Sequence, residues 1–164
     1  MNRFAGPFSG AHLLGTDELG RDMLARLMMG GRVSLMVGFT AMAIGMALGI
    51  LVGAVAGYHG GWLGAALMRL VDAVLCFPTI FLLLALAALV QPGLLSIIIL
   101  IAATSWMDVA RIVEGQVKSL RERDFAVAAQ VLGASDARII VHELVPNAVA
   151  PIVVAATLNV ARAI

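Results

Sequence analysis

Charge is what this chain has least of. Its 164 residues hold 11 Lys and Arg and 10 Asp and Glu, 13% in all, where a soluble domain carries about a quarter. With 62% hydrophobic residues and a mean hydropathy of +1.02, that scarcity excludes an ordinary soluble domain and places the chain in a bilayer. A net charge of +1 with no basic run excludes nucleic acid or an acidic polymer as partner. The single cysteine, Cys76, excludes an internal disulfide, and its apolar surroundings make it read as a buried small hydrophobe. Residues 1–10 carry Arg3 but no apolar core and small-residue cleavage site, so no secretory signal is read there.

The signatures of catalysis are missing as well. No Gly-x-x-x-x-Gly-Lys-Ser/Thr loop is present to cradle phosphates, so the chain is expected to be neither an ATPase nor any other enzyme. His12, His59 and His142 lie in separate segments without an i, i+4 pair or a Cys-x-x-Cys, which speaks against a metal site. Ser34, Ser96 and Ser105 have no neighbouring His and acid to make a nucleophile. The apolar runs are clear of charge, and Arg69, Asp72 and Asp108 sit at their ends. A proton-coupled carrier or selective ion channel would need intramembrane acids or charged rings instead. Arg69 and Asp72, at i and i+3, are spaced for a helical ion pair of about 0.2–0.5 kcal/mol.

What is present is a series of long uncharged runs, 33–58, 73–107 and 144–161. A spanning helix needs about 20 apolar residues. The first run is one span. The second is too long for one helix, and Gln91-Pro92-Gly93 divides it into a hairpin of 73–90 and 94–107. The third run gives a fourth, incomplete crossing. The expected fold is an all-α, polytopic transmembrane bundle. Alternating sides places Arg3, Arg21, Arg26 and Arg32 on one side, and Arg69, Arg111, Lys118, Arg121, Arg123 and Arg138 on the other. The positive-inside rule then makes the 108–143 loop cytoplasmic. In the first span Gly45, Gly49, Gly53 and Gly57 recur every fourth residue, a bare ridge along which another helix backbone can approach.

The 108–143 loop holds two helical patterns. Residues 109–120, with Arg111, Glu114 and Lys118 spaced by three and four, extend a membrane helix into water. In 124–132, Asp124 is placed to cap the N-terminus, while Phe125, Ala128, Ala129 and Leu132 fall on one side. Gly133 supplies a left-handed stop, and Pro146 restarts the chain toward the last span. A helix of about nine residues is not stable alone in water. It either packs into a partner's groove or lies on lipid headgroups.

Two blocks carry a family likeness. One is the block from Leu14 to Gly38, which opens Leu14-Gly15-Thr16-Asp17-Glu18-Leu19-Gly20-Arg21-Asp22 ahead of a span; the other is the 124–138 segment with Val145-Pro146-Asn147. Between them stand Met68-Arg69-Leu70-Val71-Asp72 and Phe77-Pro78. Over residues 12–164 the chain resembles the inner-membrane permease subunits of the dipeptide, oligopeptide and nickel branch of ABC importers. Val127 stands where the wider motif has Glu, and His142-Glu143 where this branch often has Arg-His. Members of that family resemble six-span proteins, so the chain is expected to be a fragment of one.

The resemblance implies a multi-pass protein of the bacterial inner membrane that forms half of a translocation path for peptides or similar small solutes. It implies as partners a second permease, two ATP-binding subunits that hold ATP and Mg, an extracytoplasmic binding protein and membrane lipid; no cofactor is implied in this chain. Residues 1–32 become an extracytoplasmic segment shaped by Gly15, Thr16, Asp17, Gly20, Arg21 and Asp22, and 33–164 the permease domain. Asp124, Phe125, Ala128, Ala129, Leu132 and Gly133 become the ATPase-coupling helix, supported by Arg138, Pro146 and Asn147. Dipeptide, oligopeptide, nickel chelate, glutathione-like and opine-like cargo stay open. The rival reading is an oligomeric channel or scaffold without an ATPase, held together by the glycine ridge.

Overall fold

The structure, a computed structural model, describes residues 3–9, 12–154 and 157. They fall into two compact units, one up to Val37 and one from Gly38. The first holds an irregular lead segment, with isolated antiparallel bridges Ser9–His12 and Thr16–Asp22, and the first turns of a long helix.

Helix α1 runs Met23–His59, 37 residues or about 55 Å. It starts ten residues before the expected span, because absence of charge marks the apolar stretch and not the helix end. Asp22 caps it: the Leu24 N–H donates to Asp22 Oδ1 at 3.1 Å, satisfying a donor with no intrahelical partner.

The expected arm 73–90 is not one helix. Residues up to 75 belong to α2, Gly61–Leu75, and a new helix α3, Thr79–Ala87, leaves it at a bend of 84°. The break lies at Cys76, Phe77 and Pro78. Proline offers no N–H to the preceding turn and pushes residue 77 out of helical geometry, so the chain stops and restarts with Pro78 just before α3. Cys76, expected to be buried, is exposed at this break. The turn at residues 88–93 leads into α4, Leu94–Leu120, which continues unbroken past the apolar run. Ser96 Oγ closes that turn on the Gln91 carbonyl at 2.6 Å.

Among the described residues two helices, α1 and α4, are long and apolar enough to cross a membrane, or three spans if the bent α2–α3 pair counts as one. Of the four crossings read from the sequence, the first and third correspond to α1 and α4 and the second to the bent pair, while the fourth falls largely outside the described residues. The last run is helical through 154 except for a turn at Ala148, and its remainder to 161 lies outside the described residues apart from Thr157.

Within the second unit, α1 and α4 meet along the four glycines, all of them buried. A Cβ on Gly49 would stand 2.7 Å from the Trp106 carbonyl oxygen. One on Gly57 would stand 2.7 Å from that of Glu114, and one on Gly53 would run into that of Ala110. α2 approaches as closely through Gly64, whose Cβ would lie 2.6 Å from the Ala56 carbonyl oxygen. Backbone therefore packs on backbone, the arrangement small residues permit in lipid. Val71, Met107 and Ala110 form one buried cluster beside this seam. A larger one gathers Ala54, Tyr58, Val109, Val113 and Val117 with Ala126, Ile139 and Leu144 from the loop beyond α4.

Asp72 pairs with Arg111 of α4 and not with Arg69 one turn away. The ion pair thus ties two helices together, where the sequence spacing offered only a local contact.

Candidate docking helix

Past α4 the chain makes one turn and enters α5, Asp124–Val131. The N-cap is Arg123, with extended backbone and no side-chain cap. Asp124 is the first helical residue, not the cap, where its carboxylate still faces the positive end of the helix dipole. The Ala126 and Val127 N–H groups both donate to the Arg123 carbonyl, at 3.0 and 3.1 Å.

The C-terminus is closed by a Schellman turn. The Gly133 N–H donates to the Gln130 carbonyl at 3.0 Å, and the Ala134 N–H to the Ala129 carbonyl at 3.1 Å. Gly133 holds φ +79°, and no atom lies within 4 Å of where its Cβ would stand. A side chain at this position would be strained by backbone geometry alone. An acid there would be exposed within this chain, not buried.

The apolar stripe read from the sequence is divided by the fold. Ala126 is buried in the main cluster and Ala129 and Ala134 pack against it. Phe125, Val127 and Ala128 are exposed, and Val131 and Leu132 are 82% and 86% exposed. α5 thus rests on its own protein through alanines and offers large apolar side chains outward. Ala126, Val131 and Gln130 were not singled out in the sequence. The i, i+3 relation of Ala126 to Ala129 was the available signal, overshadowed by the larger Phe125 and Leu132.

One residue of α1 binds the reversal on both sides of Gly133. Tyr58, 7% exposed, donates its hydroxyl to Asp136 Oδ1 at 2.8 Å and accepts from Gln130 Nε2 at 3.1 Å. Its carbonyl, one of the last in α1 without an intrahelical donor, accepts from Arg121 Nη1 at 2.5 Å. His59 Nε2 lies 3.9 Å from Asp136 Oδ2. Beside this junction Glu114, Lys118 and Arg121 line a cavity of about 260 Å³ floored by Gly57, Gly60, Gly61 and Gly64.

After Ser135 the chain is helical again in α6, Asp136–Arg138, widens into a π-helical turn over Ile139–Leu144, and continues as α7, Val145–Asn147. The wide turn precedes Pro146, which has no N–H for the His142 carbonyl and whose ring needs room there. The Asn147 side-chain amide donates to the neighbouring Glu143 carbonyl at 2.6 Å. Pro146 thus modulates a helix already under way and does not start one. Arg138 is exposed and makes no ion pair among the described residues.

In the first unit, the Gly15–Asp22 block is a closed turn. Asp17 Oδ1 accepts the N–H groups of Leu19 and Arg21 at 2.9 and 2.8 Å, and Asp17 Oδ2 accepts from Arg26 at 2.5 Å. The Arg21 N–H above all, with Leu19 and Arg26, holds the Asp17 carboxyl below its usual 3.8, against a partial desolvation that works the other way. Gly15 and Gly20 hold positive φ, and Thr16 Oγ1 accepts from the Ala5 N–H at 3.0 Å. Every one of these bonds is spent inside the segment, so the motif's geometry is that of a self-contained structural turn. Among the described residues no cluster of three His, Cys, Asp or Glu could hold a metal ion.

Residues 49–164 match the family described as binding-protein-dependent transport system inner membrane component. The chain is 42% identical over 163 residues to a dipeptide transport system permease protein of Alkalihalophilus pseudofirmus, covering 99% of this chain and 53% of the relative. It is 44% identical over 160 residues to an oligopeptide transport system permease protein of Escherichia coli K12, covering 98% and 53%. A dipeptide transport system permease protein of Bacillus subtilis is 40% identical over 158 residues, covering 96% and 49%. The chain spans about half the length of these relatives.

Proposed function

The chain belongs to the family of binding-protein-dependent transport system inner membrane components, multi-pass membrane proteins, and from that premise we propose that it is part of a permease subunit of an ATP-driven peptide importer. In this reading residues 1–32 lie outside the cytoplasm, toward a binding protein that delivers peptide or a similar small solute. The 108–143 loop lies in the cytoplasm. The subunit forms half of a path with a second permease. Two ATP-binding subunits, holding ATP and Mg, supply the work, since this chain carries no phosphate-binding loop.

The observation that carries the reading is α5. It is a helix of eight residues, held to its own core by Ala126 and Ala129, ended by a left-handed glycine, and presenting Phe125, Val131 and Leu132 outward. A helix too short to persist alone is thereby preformed, with an apolar face ready for the groove of an ATPase. Asp124, Phe125, Ala128, Leu132 and Gly133 contribute to that face or its end, and Ala129 to its mounting. Arg138, Pro146 and Asn147 follow in the stretch that carries the loop back toward the membrane.

The test is co-purification of the full-length subunit with a candidate phosphate-loop ATPase from the same organism, compared with Leu132→Glu. Leu132 makes little contact within the chain, so the variant should insert normally and lose the ATPase. Retention of the ATPase by the variant would remove α5 as the docking element. No ATPase bound by either form would favour the channel or scaffold reading.

A further inference from the structure

Tyr58 is buried and lies off the outward face proposed for docking, yet its hydroxyl is the point at which α1 holds α5. Gln130 lies in the last turn of α5 and Asp136 at the first turn after the reversal. Both are bonded to the same phenolic oxygen, one as donor and one as acceptor. The Schellman turn between them is therefore bracketed from outside by a single group from a helix more than 70 positions away in sequence. The same residue's carbonyl receives Arg121, the residue that follows α4. Tyr58 belongs to the buried cluster that also holds Val113, Val117, Ala126 and Ile139. Four elements thus meet at one side chain and its carbonyl: the ends of α1 and α4, the end of α5 and the start of α6.

This arrangement has a mechanical consequence. The covalent path from α5 to the membrane runs through residues 121–123 or through the widened turn at 139–144, and each is a place where helix geometry is interrupted. The Tyr58 junction runs directly from the docking helix to α1, and the glycine seam fixes α1 to α4 backbone against backbone. A displacement of α5 is thereby passed to both long helices at once.

We propose that Tyr58 is the positioning residue that transmits movement of the docking helix to the membrane-spanning pair, through the Gln130–Tyr58–Asp136 junction. The inference rests on the proposed function of α5 and adds to it the route by which force leaves that helix. Gln130 sets the angle of the helix end and Asp136 the angle of the returning chain. The hydroxyl is needed because a phenyl ring would fill the same space in the core and hold neither.

The experiment uses the full-length subunit assembled with its second permease, ATPase and binding protein in vesicles. It measures three quantities: ATPase retained on purification, ATP hydrolysis stimulated by the peptide-loaded binding protein, and peptide uptake. Tyr58→Phe should retain the ATPase as wild type does, while uptake per ATP hydrolysed falls about 30-fold, the factor expected when two hydrogen bonds of ordinary strength are lost from a working state. Asp136→Asn keeps an acceptor for the hydroxyl and should stay within about twofold of wild type, whereas Asp136→Ala, which leaves the Gln130 bond in place, should fall about fivefold, between wild type and Tyr58→Phe. The double variant Tyr58→Phe with Asp136→Ala should be no worse than Tyr58→Phe alone, the signature of one shared interaction. Uptake per ATP unchanged in Tyr58→Phe would overturn the proposal. So would loss of the bound ATPase in that variant alone, since Tyr58 would then only mount the docking surface. A wild-type complex that binds no ATPase would overturn the reading of α5 itself, a result distinct from both.

Discussion

The glycine seam between α1 and α4 makes a graded prediction that one helix can both test and control. In Gly53→Ala the new Cβ meets the Ala110 carbonyl oxygen and stands 2.8 Å from Val113 Cβ, where carbon atoms prefer about 3.5–4.0 Å. Neither neighbour is the tip of a flexible side chain, so the helices must part by some tenths of an ångström. Overpacking of this kind costs about 1–3 kcal/mol, and the better helix propensity of alanine returns up to about 1 kcal/mol. A net loss of about 1–2 kcal/mol is expected, or at most a few degrees in melting temperature for a full-length subunit about twice as long as this chain. Gly45→Ala should cost less, because its nearest obstacle is the Ser105 hydroxyl, 2.5 Å away, which can rotate. Gly30→Ala lies in the same helix with nothing within 4 Å and should be neutral or stabilising. The assay is thermal unfolding of the full-length subunit in one detergent, with all three variants made in parallel. Equal melting temperatures for Gly53→Ala and Gly30→Ala would refute the close-packed seam, whatever their common value.

Gly133→Ala should weaken the end of α5 by about 1–2 kcal/mol through left-handed strain alone, and Gly133→Asn less, since asparagine tolerates that geometry. Co-purification with the ATPase would rank them glycine, asparagine, alanine, and an alanine variant equal to wild type would contradict the assignment. The Asp17 carboxyl is held below 3.8, so the order it gives the lead segment is fully present above that pH and is lost only as pH falls through the lower folded value. Amide exchange at Leu19 and Arg21 should stay slow at pH 4 and quicken further down; fast exchange already at pH 4 would count against it. Arg111→Glu should lower stability modestly, by about 1 kcal/mol or less for a pair as exposed as this one, and Asp72→Arg should restore it if the inter-helix pair is real. Failure of the double swap to recover any melting temperature would point back to Arg69.

How far the sequence could be read depended on whether the signal was local. The left-handed stop at Gly133 and the turn at 91–93 rest on the conformational needs of single residues, and both could be placed from composition alone. The kink at Pro78 was equally local, yet it lay inside a run so apolar that hydropathy suggested one continuous arm. Charge-free length measures where lipid can be, and it cannot separate a straight helix from two bent ones. The division of α5 into an inner and an outer face was beyond reach for a different reason. Phe125, Ala128, Ala129 and Leu132 share a helical stripe, but in the fold Ala126 and Ala129 pack on the main cluster while Phe125, Ala128 and Leu132 are left exposed. Tyr58 was invisible for the same cause. Its two partners are 72 and 78 positions away, and nothing near it in sequence distinguishes it from an interfacial tyrosine.

The close approach of α1 to α4 and the Tyr58 junction bear on the same question, which is how a short surface helix could move two long ones. A seam of large side chains would allow rotamer changes to absorb a small displacement, because each side chain has alternative staggered positions. Backbone against backbone has no such slack, since glycine contributes no atoms that can rearrange. The pair α1–α4 within the second unit therefore responds as one body along the length of the seam, from Gly45 to Gly57. The α2–α3 pair is different. Its 84° break and the exposed apolar side chains of α3 leave it able to bend where α1 and α4 cannot. If α5 is displaced, the stiff pair should follow and the strain should collect at Cys76, Phe77 and Pro78. Spin labels on exposed Leu51 of α1 and Ile112 of α4 should then keep their separation through an ATP cycle, while labels on Leu70 of α2 and Phe81 of α3 change theirs. Movement between the first two with none between the second two would place the compliant joint in the seam and reverse this account.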